Sequence, residues 1–239
     1  MNRDYSYLVN TLSSWNFSLS DKQIQQLDLF YELLVEKNKV MNLTAITEFD
    51  DVLVKHFADS LSICTVLPSD VKTVCDLGTG AGFPGIPMAI AYPDISFTLI
   101  DSLNKRIKFL QEVVDALGLT NVTLVHARAE EAGRGNNYRE HFDLVVSRAV
   151  ANIATLSEYC LPLVKINGYF ISFKSGDIKD EIEASGSAVK KLGGAMTEPV
   201  YFTIPDTDIS RSFLIINKEK NTPKAYPRKA GTPSKEPLK

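Results

Sequence analysis

A doubly wound α/β sheet with a helical extension at its N-terminus is the fold that this sequence predicts. Short apolar runs alternate with helical patterns from residue 73 onward, as parallel βαβ units require. A glycine-rich loop, DLGTGAGFPGIP over residues 76–87, follows the first of these runs. The first two predicted strands end in Asp76 and Asp101, at the edge where an open sheet of this kind binds its ligands.

Residues 1–66 carry helical rather than strand periodicity. Ser20 and Gln23 fit a capping box, and apolar residues recur at helical spacing after it. A second apolar face follows the turn-like segment VMNLT at residues 40–44, and its members are three or four positions apart: Leu53, Phe57, Leu61 and Cys64. We expect the boundary between this helical extension (1–66) and the α/β domain (67–217) to fall near Pro68.

The α/β domain contains five apolar runs that we interpret as buried strands. They lie at residues 73–77, 96–101, 122–127, 142–149 and 168–173. Helices are predicted between them or after them at residues 86–92, 105–117, 156–164 and 177–192. Two final strand candidates, at 200–204 and 212–217, have no helix between them. A mostly parallel, Rossmann-like sheet with an antiparallel strand near one edge is therefore expected.

Composition indicates an ordinary cytoplasmic protein. Of 239 residues, 44% are apolar and 23% are charged. There is no apolar run long enough for a membrane span and no signal-peptide pattern. The three cysteines are scattered, so we expect reduced core residues and no metal site. The net charge is −3, but residues 218–239 hold seven Lys or Arg and two Glu. A solvated basic tail or a tail that binds an anionic partner both agree with this asymmetry.

The glycine loop has three candidate ligands: a dinucleotide, S-adenosylmethionine, or none. Gly80, Gly82 and Gly85 satisfy G-x-G-x-x-G, which alone is weak support for a dinucleotide. A carboxylate at Asp76 would repel a pyrophosphate but would suit the ammonium of a methionine moiety. Asp101 is placed to bind ribose hydroxyls of either nucleoside. The combination favours S-adenosylmethionine, with Asp76, Gly78, Gly80 and Asp101 as binding residues. The competing class is a nicotinamide-dependent oxidoreductase, but this sequence has no recognisable cluster of polar residues for hydride transfer.

Two further strand ends contribute candidate site residues. The loop after the third strand brings the Ala129 and Glu130 backbone near the expected adenine, unless it merely opens a helix. The fourth strand ends at Arg148, where donor and acceptor would meet. An arginine is a poor residue to bury without a function, and the competing interpretation is a structural ion pair with Asp76 or Asp143.

Several motifs together resemble one known family, and the resemblance covers nearly the whole chain. They are NLTAI (42–46), HFADSL (56–61), the glycine loop, DS with KR (101–106), RAEE (128–131), SRAVA (147–151) and YPRKAGTPSKEPL (226–238). The sequence resembles the bacterial small-subunit ribosomal RNA methyltransferase G family (RsmG), also called glucose-inhibited division protein B (GidB). The resemblance implies a class I S-adenosylmethionine-dependent methyltransferase fold. It also implies donor contacts from Gly78, Phe83, Ala129, Glu130 and Arg148.

The same resemblance implies a product, 7-methylguanosine at position 527 of 16S rRNA, in the 530 loop. Guanine N7 carries no proton, so no general base is required and Arg148 would orient rather than transfer a proton. This fits His56, His126 and His141, which form no triad; a functional role for His56 stays open. The partner would be the small subunit or an assembly intermediate, bound by a monomer.

The basic tail gains a role from that substrate. Arg228, Lys229 and Lys235 are expected to contact phosphates, and Tyr226 or Phe83 to stack on a base. Two other functions remain open: a methyltransferase of a small molecule or protein, and a noncatalytic rRNA-binding factor.

Overall fold

The N-terminal extension is helical, as predicted. The computed structural model describes residues 3–148 and 151–239. Helix α1 spans Ser6–Ser14 and α2 spans Asp21–Met41. The predicted capping box is confirmed: the Gln23 amide donates to the Ser20 hydroxyl, and the Ser20 amide donates to the Gln23 side chain. Helix α2 ends at Asn42 in a left-handed conformation (φ 48°), which an asparagine tolerates.

A third helical segment changes its winding along its length. It begins as α3 (Phe49–Val52), widens into a π-helical stretch (Leu53–Ala58), returns to α4 (Asp59–Leu61) and ends in a 3₁₀ turn (Ser62–Thr65). The predicted apolar face is buried at Leu53, Phe57 and Leu61, while Cys64 is half-buried. Single π-helical turns inside helices occur frequently at functional sites, and this one carries His56.

Within residues 3–148 and 151–239, the sheet has eight strands in the order β3-β2-β1-β4-β5-β8-β6, with β7 also paired to β8. Their bounds are β1 Thr73–Leu77, β2 Ser96–Asp101, β3 Val122–His126, β4 Phe142–Ser147, β5 Val164–Ser175, β6 Gly194–Met196, β7 Val200–Thr203 and β8 Ser210–Lys218. Strands β1 to β5 pair in parallel and β8 is antiparallel to β5. The predicted doubly wound sheet is confirmed, although the antiparallel strand lies one position inside the edge.

Helices cover both faces of the sheet and build two hydrophobic clusters. The remaining helices are α5 Gly85–Ala91, α6 Asn104–Leu117, α7 Ala129–Arg134, α8 Ile153–Cys160, α9 Lys179–Lys191 and α10 Thr232–Lys235. One cluster joins α1, α2, α5 and α6 to the sheet, so the N-terminal extension packs on the domain and shares its core. In the described part of the chain, no helix is both long and apolar enough to cross a membrane.

The boundaries around Pro162 differ most from the prediction. The expected helix over 156–164 ends earlier, at Cys160, because Pro162 lies in a 3₁₀ turn (Leu161–Leu163) that leads directly into β5. Strand β5 therefore starts four residues before the predicted 168. The three-residue strand β6 was not predicted, since Gly193 and Gly194 carry no strand signal.

The C-terminal segment is not a solvated tail. Residues 222–236, which we call the C-terminal strap, return from β8 and pack on α7 and α8. Pro227 and Pro233 are buried, and a Cβ added at Gly133 on α7 would lie 3.0 Å from the Pro227 ring. The basic charge of this segment does not indicate whether it is packed or free. Residues that pair inside the protein and residues that stay exposed are adjacent in the sequence, as Arg228 and Lys229 are.

Candidate active site

A cavity of about 230 Å³ opens where the strand order reverses, between the carboxyl ends of β1, β2 and β4. This is the position at which open α/β sheets bind ligands. Its lining comes from the glycine loop, the loops after β2 and β3, the end of β4 and helix α8. The lining includes Gly78, Asp101, Ser102, Ala129, Ser147 and Tyr159.

Asp101 organises two of the loops around this cavity. Its Oδ2 accepts a hydrogen bond from the Gly80 amide at 2.9 Å, and its Oδ1 accepts one from the Leu103 amide at 2.8 Å. The Arg106 guanidinium donates to Oδ2 at 3.2 Å. The carboxylate is almost fully buried yet lines the cavity, and a carboxylate has acceptor capacity beyond these three donors. Asp101 can therefore also accept hydroxyl groups of a ligand.

The glycine loop provides an open cradle beside Asp101. Gly78 has φ +77°, and a Cβ built there would meet no protein atom within 4 Å. A side chain at this position would project into the space that the cavity offers. Gly85 serves the opposite purpose, since a Cβ there would lie 2.7 Å from Asp76 Oδ2. Glycine is thus needed once for ligand space and once for close packing under the loop.

Asp76 lies beneath the glycine loop rather than along the cavity wall. Its side chain is fully buried, and Oδ2 accepts from the Gly85 amide at 2.9 Å. Burial raises the pKa of this carboxyl to about 6, partly offset by the neighbouring Thr79 hydroxyl and the Gly85 N–H. Oδ1 has no partner with hydrogen-bond geometry among the described residues. The predicted contact between Asp76 and a ligand would have to come through that one oxygen, and in this structure Asp76 supports the loop.

Ala129, Glu130 and Phe83 occupy different places around the cavity. Ala129 lines it. Glu130 is buried and turns its carboxylate away, where Oε1 accepts from the Gly231 amide of the C-terminal strap at 2.8 Å. Phe83 is only 6% exposed and packs with Phe30 and His56, so its ring belongs to the core and is not a free platform for a base.

Arg148 lines a second cavity, of about 250 Å³. Ser147 lines the first cavity and Arg148 the second, so consecutive residues at the end of β4 line the two cavities. The Arg148 guanidinium donates to Asp59 Oδ2 at 2.8 Å and to the Lys55 carbonyl at 3.1 Å. Its carbon Cζ lies 5.3 Å from the centre of the Phe83 ring. The alternative prediction was an ion pair of Arg148 with Asp76 or Asp143. The structure pairs Arg148 with Asp59 instead, and Asp143 pairs with Lys165.

Asp59 holds two arginines at once. It is 4% exposed, and its Oδ1 accepts from Arg211 Nε at 2.7 Å while Oδ2 binds Arg148. Both arginine side chains retain about a fifth of their exposure and line the second cavity. One buried carboxylate thus places two positive groups on the same cavity wall.

His56 completes this wall as a neutral residue. Its ring stacks on Phe83 with centroids 4.4 Å apart, and its Nε2 lies 3.0 Å from the Thr44 hydroxyl. Burial and the nearby Arg148 charge lower the His56 pKa to about 4. His56 is therefore uncharged at neutral pH, and its contacts place the NLTAI and HFADSL motifs in one site.

Asp59 and Arg211 are the site residues that sequence reasoning missed. Asp59 lies inside HFADSL, a segment already singled out, so the motif contained a usable signal. Arg211 lies in an unremarkable strand and is 152 residues from Asp59, and no local pattern connects the two. The Ala149 and Val150 positions of the SRAVA motif lie outside the described residues.

Of the three tail residues predicted to contact phosphates, one is engaged inside the protein. Arg228 donates to both oxygens of the fully buried Glu158, from Nε at 2.9 Å and from Nη2 at 2.7 Å. Lys229 and Lys235 are exposed. The phosphate contact stays a prediction for all three residues, and Arg228 already neutralises a buried acid inside the protein. The described residues include no group of three or more His, Cys, Asp or Glu arranged to hold a metal ion.

Two features define a class I methyltransferase fold: the antiparallel strand β8 beside β5, and the glycine-loop cavity at the point where the strand order reverses. A SAM-dependent O-methyltransferase from Thermotoga maritima shares it with a TM-score of 0.50 and 15% identity, over 79% of this chain and 72% of that one. TYW2 from M. jannaschii, solved in complex with AdoMet, aligns with a TM-score of 0.53 and 15% identity, over 72% and 77% of the two chains. At these identities the likeness concerns the fold.

Sequence similarity defines the family. Residues 23–207 match the GidB family model, described as rRNA small subunit methyltransferase G, and this chain belongs to that family. The ribosomal RNA small subunit methyltransferase G of Lachnoclostridium phytofermentans is 51% identical over 239 residues, covering 99% of this chain and 98% of the relative. The resemblance that the motifs indicated is thereby confirmed.

Proposed function

We propose that this protein transfers the methyl group of S-adenosylmethionine to N7 of a guanine in 16S rRNA, at position 527 of the 530 loop. One observation carries the proposal: consecutive residues, Ser147 and Arg148, line a cavity suited to the donor and a cavity with two arginines in its wall. A reaction between two bound molecules needs such adjacency. The name of the 51% identical relative supports rRNA of the small subunit as the acceptor.

The residues of the first cavity fit S-adenosylmethionine. The open space over Gly78 admits the ligand close to the backbone, and Asp101 offers carboxylate oxygens to ribose hydroxyls. Ala129 lines the cavity, and we expect its backbone and that of Glu130 to contact the adenine edge. When bound, the donor supplies an electrophilic methyl group on a sulfonium. The raised pKa of Asp76 shows that its charge is costly without a partner, and a nearby ligand cation would lower that cost.

The second cavity would orient the acceptor. A guanidinium donates favourably to guanine O6, which lies beside N7, and Arg148 is held for such a contact by Asp59. Guanine N7 attacks with its own lone pair, so no side chain has to remove a proton. The lowered pKa of His56 agrees with that chemistry, because a histidine with a pKa of about 4 is a weak base at pH 7. Phe83 and His56 form a packed wall that keeps Arg148 in place.

Contacts with the rest of the RNA would come from exposed cations. Lys229 and Lys235 are the predicted phosphate contacts, and each such contact gives binding a dependence on salt. Replacing both by alanine should weaken binding to small subunits and reduce its salt dependence. The matched control replaces Lys190 and Lys191, which are exposed on α9, far along the sequence from these motifs.

The test of the proposal uses methyl-labelled S-adenosylmethionine and small subunits that lack the modification. Borohydride followed by aniline cleaves RNA at 7-methylguanosine, so a single cut in the 530 loop would establish reaction and position. Arg148→Lys should retain donor binding and lose most of that cut. Labelled RNA without a cut would overturn the N7 assignment. Donor binding without any labelled RNA would favour a small-molecule or protein substrate, and absence of donor binding would favour a noncatalytic rRNA-binding factor.

A further inference from the structure

We propose that the C-terminal strap (222–236) positions the two short helices that line the donor cavity, so that it controls donor affinity. This inference rests on the proposed function only in taking the first cavity as the S-adenosylmethionine site. The strap itself supplies none of the described residues that line the cavity. It acts through α7 and α8, each of which presents cavity-lining residues on one side and binds the strap on the other.

On α7 the strap contacts both ends of a six-residue helix. The Gly231 amide donates to Glu130 Oε1 at 2.8 Å, directly after the cavity-lining Ala129. At the other end, Arg134 Nε donates to the Pro227 carbonyl at 2.7 Å. A helix this short has little stability of its own, so tertiary contacts decide where it lies. The strap supplies two of those contacts.

On α8 the strap supplies the counter-charge for a buried acid. Glu158 is fully buried and accepts from the Arg228 amide at 2.8 Å as well as from its guanidinium. The Thr155 hydroxyl donates to the Pro233 carbonyl at 3.1 Å. Between these two anchors along the helix, Leu156 faces the cavity, and Tyr159 follows directly after Glu158. An unpaired buried carboxylate is strongly unfavourable, so the position of α8 and that of the strap are coupled.

Neighbouring residues of the strap therefore serve different partners. Arg228 points inward to Glu158, whereas Lys229 is exposed. If the strap positions the cavity, then donor binding must in turn stabilise the strap, because coupling between two sites is reciprocal. This reciprocity can be measured on the unaltered protein.

The first experiment is hydrogen exchange of the full-length protein with and without S-adenosylhomocysteine as the probe. Peptides covering 226–236 should exchange about fivefold more slowly with the probe bound. The turn at 204–209 is the internal control, because its Ile204 and Ile209 pack in the hydrophobic cluster that does not include α7 and α8. Protection of the cavity loops 127–134 with an unchanged strap would overturn the inference. If neither the strap nor residues 127–134 are protected, the assignment of the donor cavity is overturned instead.

The second experiment measures the Kd of S-adenosylhomocysteine by calorimetry for matched variants. Arg228→Met combined with Glu158→Gln removes the ion pair without leaving a buried charge, and it should weaken binding about tenfold. Lys224→Met removes an exposed charge of the strap and should bind the probe as the unaltered protein does. Thr155→Val is a milder variant that keeps the ion pair and should weaken binding to a smaller extent. Unaltered affinity in the double variant or in Thr155→Val, with folding verified by circular dichroism, would overturn the inference.

Discussion

The carboxylate of Asp59 binds the guanidinium of Arg148 at a distance of 2.8 Å. Asp59 comes from the N-terminal helical segment and Arg148 from the end of β4, so the extension contributes a wall of the second cavity in the candidate site. The same carboxylate binds Arg211 from β8. The site is therefore assembled from three parts of the chain around one buried acid.

Asp59→Asn should impair methyl transfer while leaving donor affinity unchanged. The amide cannot hold two guanidinium groups, and misplacing an orienting group by about 1 Å costs roughly 100-fold in rate. We expect single-turnover methylation to fall by that order and the free energy of unfolding to fall by about 2–3 kcal/mol, since the arginines are partly exposed. Asp51→Asn is the matched control, because its ion pair with Lys55 lies at the surface and contributes less than about 1 kcal/mol. Equal rates for the two variants would contradict the role of Asp59.

Gly78→Ala should abolish donor binding at a modest cost in stability. Its left-handed backbone (φ +77°) makes any side chain strained by about 1–2 kcal/mol, and the new methyl group would enter the donor cavity. Gly118→Ala is a close control, since Gly118 has φ +63° and equally open surroundings at the end of α6. Both variants should lose similar unfolding free energy by urea denaturation, but only Gly78→Ala should lose calorimetric binding of S-adenosylhomocysteine. Loss of binding in both would point to a general effect of backbone strain.

The stability contributed by His56 should depend on pH with a definite sign. Its pKa is about 4 when folded and 6.5 as a free side chain, so the unfolded chain binds the proton more readily in that interval. The free energy of unfolding should therefore rise with pH between 4 and 6.5, by on the order of 3 kcal/mol relative to His56→Gln. The difference between the two proteins should be constant above pH 7. A difference that grows above pH 7, or that falls between 4 and 6.5, would contradict the neutral assignment.

Asp76→Asn should show the opposite pH dependence. The folded pKa of Asp76, about 6, lies above the ordinary 3.8, so the folded state binds the proton more readily and stability falls as pH rises between these values. Asparagine keeps an oxygen for the Gly85 amide and carries no charge, so the variant should gain stability relative to the unaltered protein from pH 4 to pH 6. If a ligand cation normally offsets that charge, donor affinity should fall in the same variant. Unfolding curves at pH 4 and pH 8, with calorimetry at pH 8, test both statements.

Much of the sheet was predictable because its signals are local. Strands β1 and β2 match the predicted bounds, since each is a short apolar run bounded by turn residues. Gly118 was expected to end α6, because glycine readily adopts the left-handed conformation that follows many helices. It does so here, with φ 63°. Parallel strands direct their carboxyl ends to one edge of the sheet, so Gly78 and Asp101 were expected to lie close together. Both line the first cavity.

Short stretches of this sequence thus determined the order of the helices and strands and the residues at the strand ends. They did not determine which charged residues pair with each other. Asp59 and Arg211 are separated by 152 residues, and Arg228 and Glu158 by 70, so each pair exists because the fold closes a long loop. Burial then decides what such charges do: Arg228 and Lys229 are alike in sequence, but only Arg228 meets a buried acid that must be neutralised. Charge counting treats both as tail cations, whereas packing makes one a structural anchor and leaves the other at the surface.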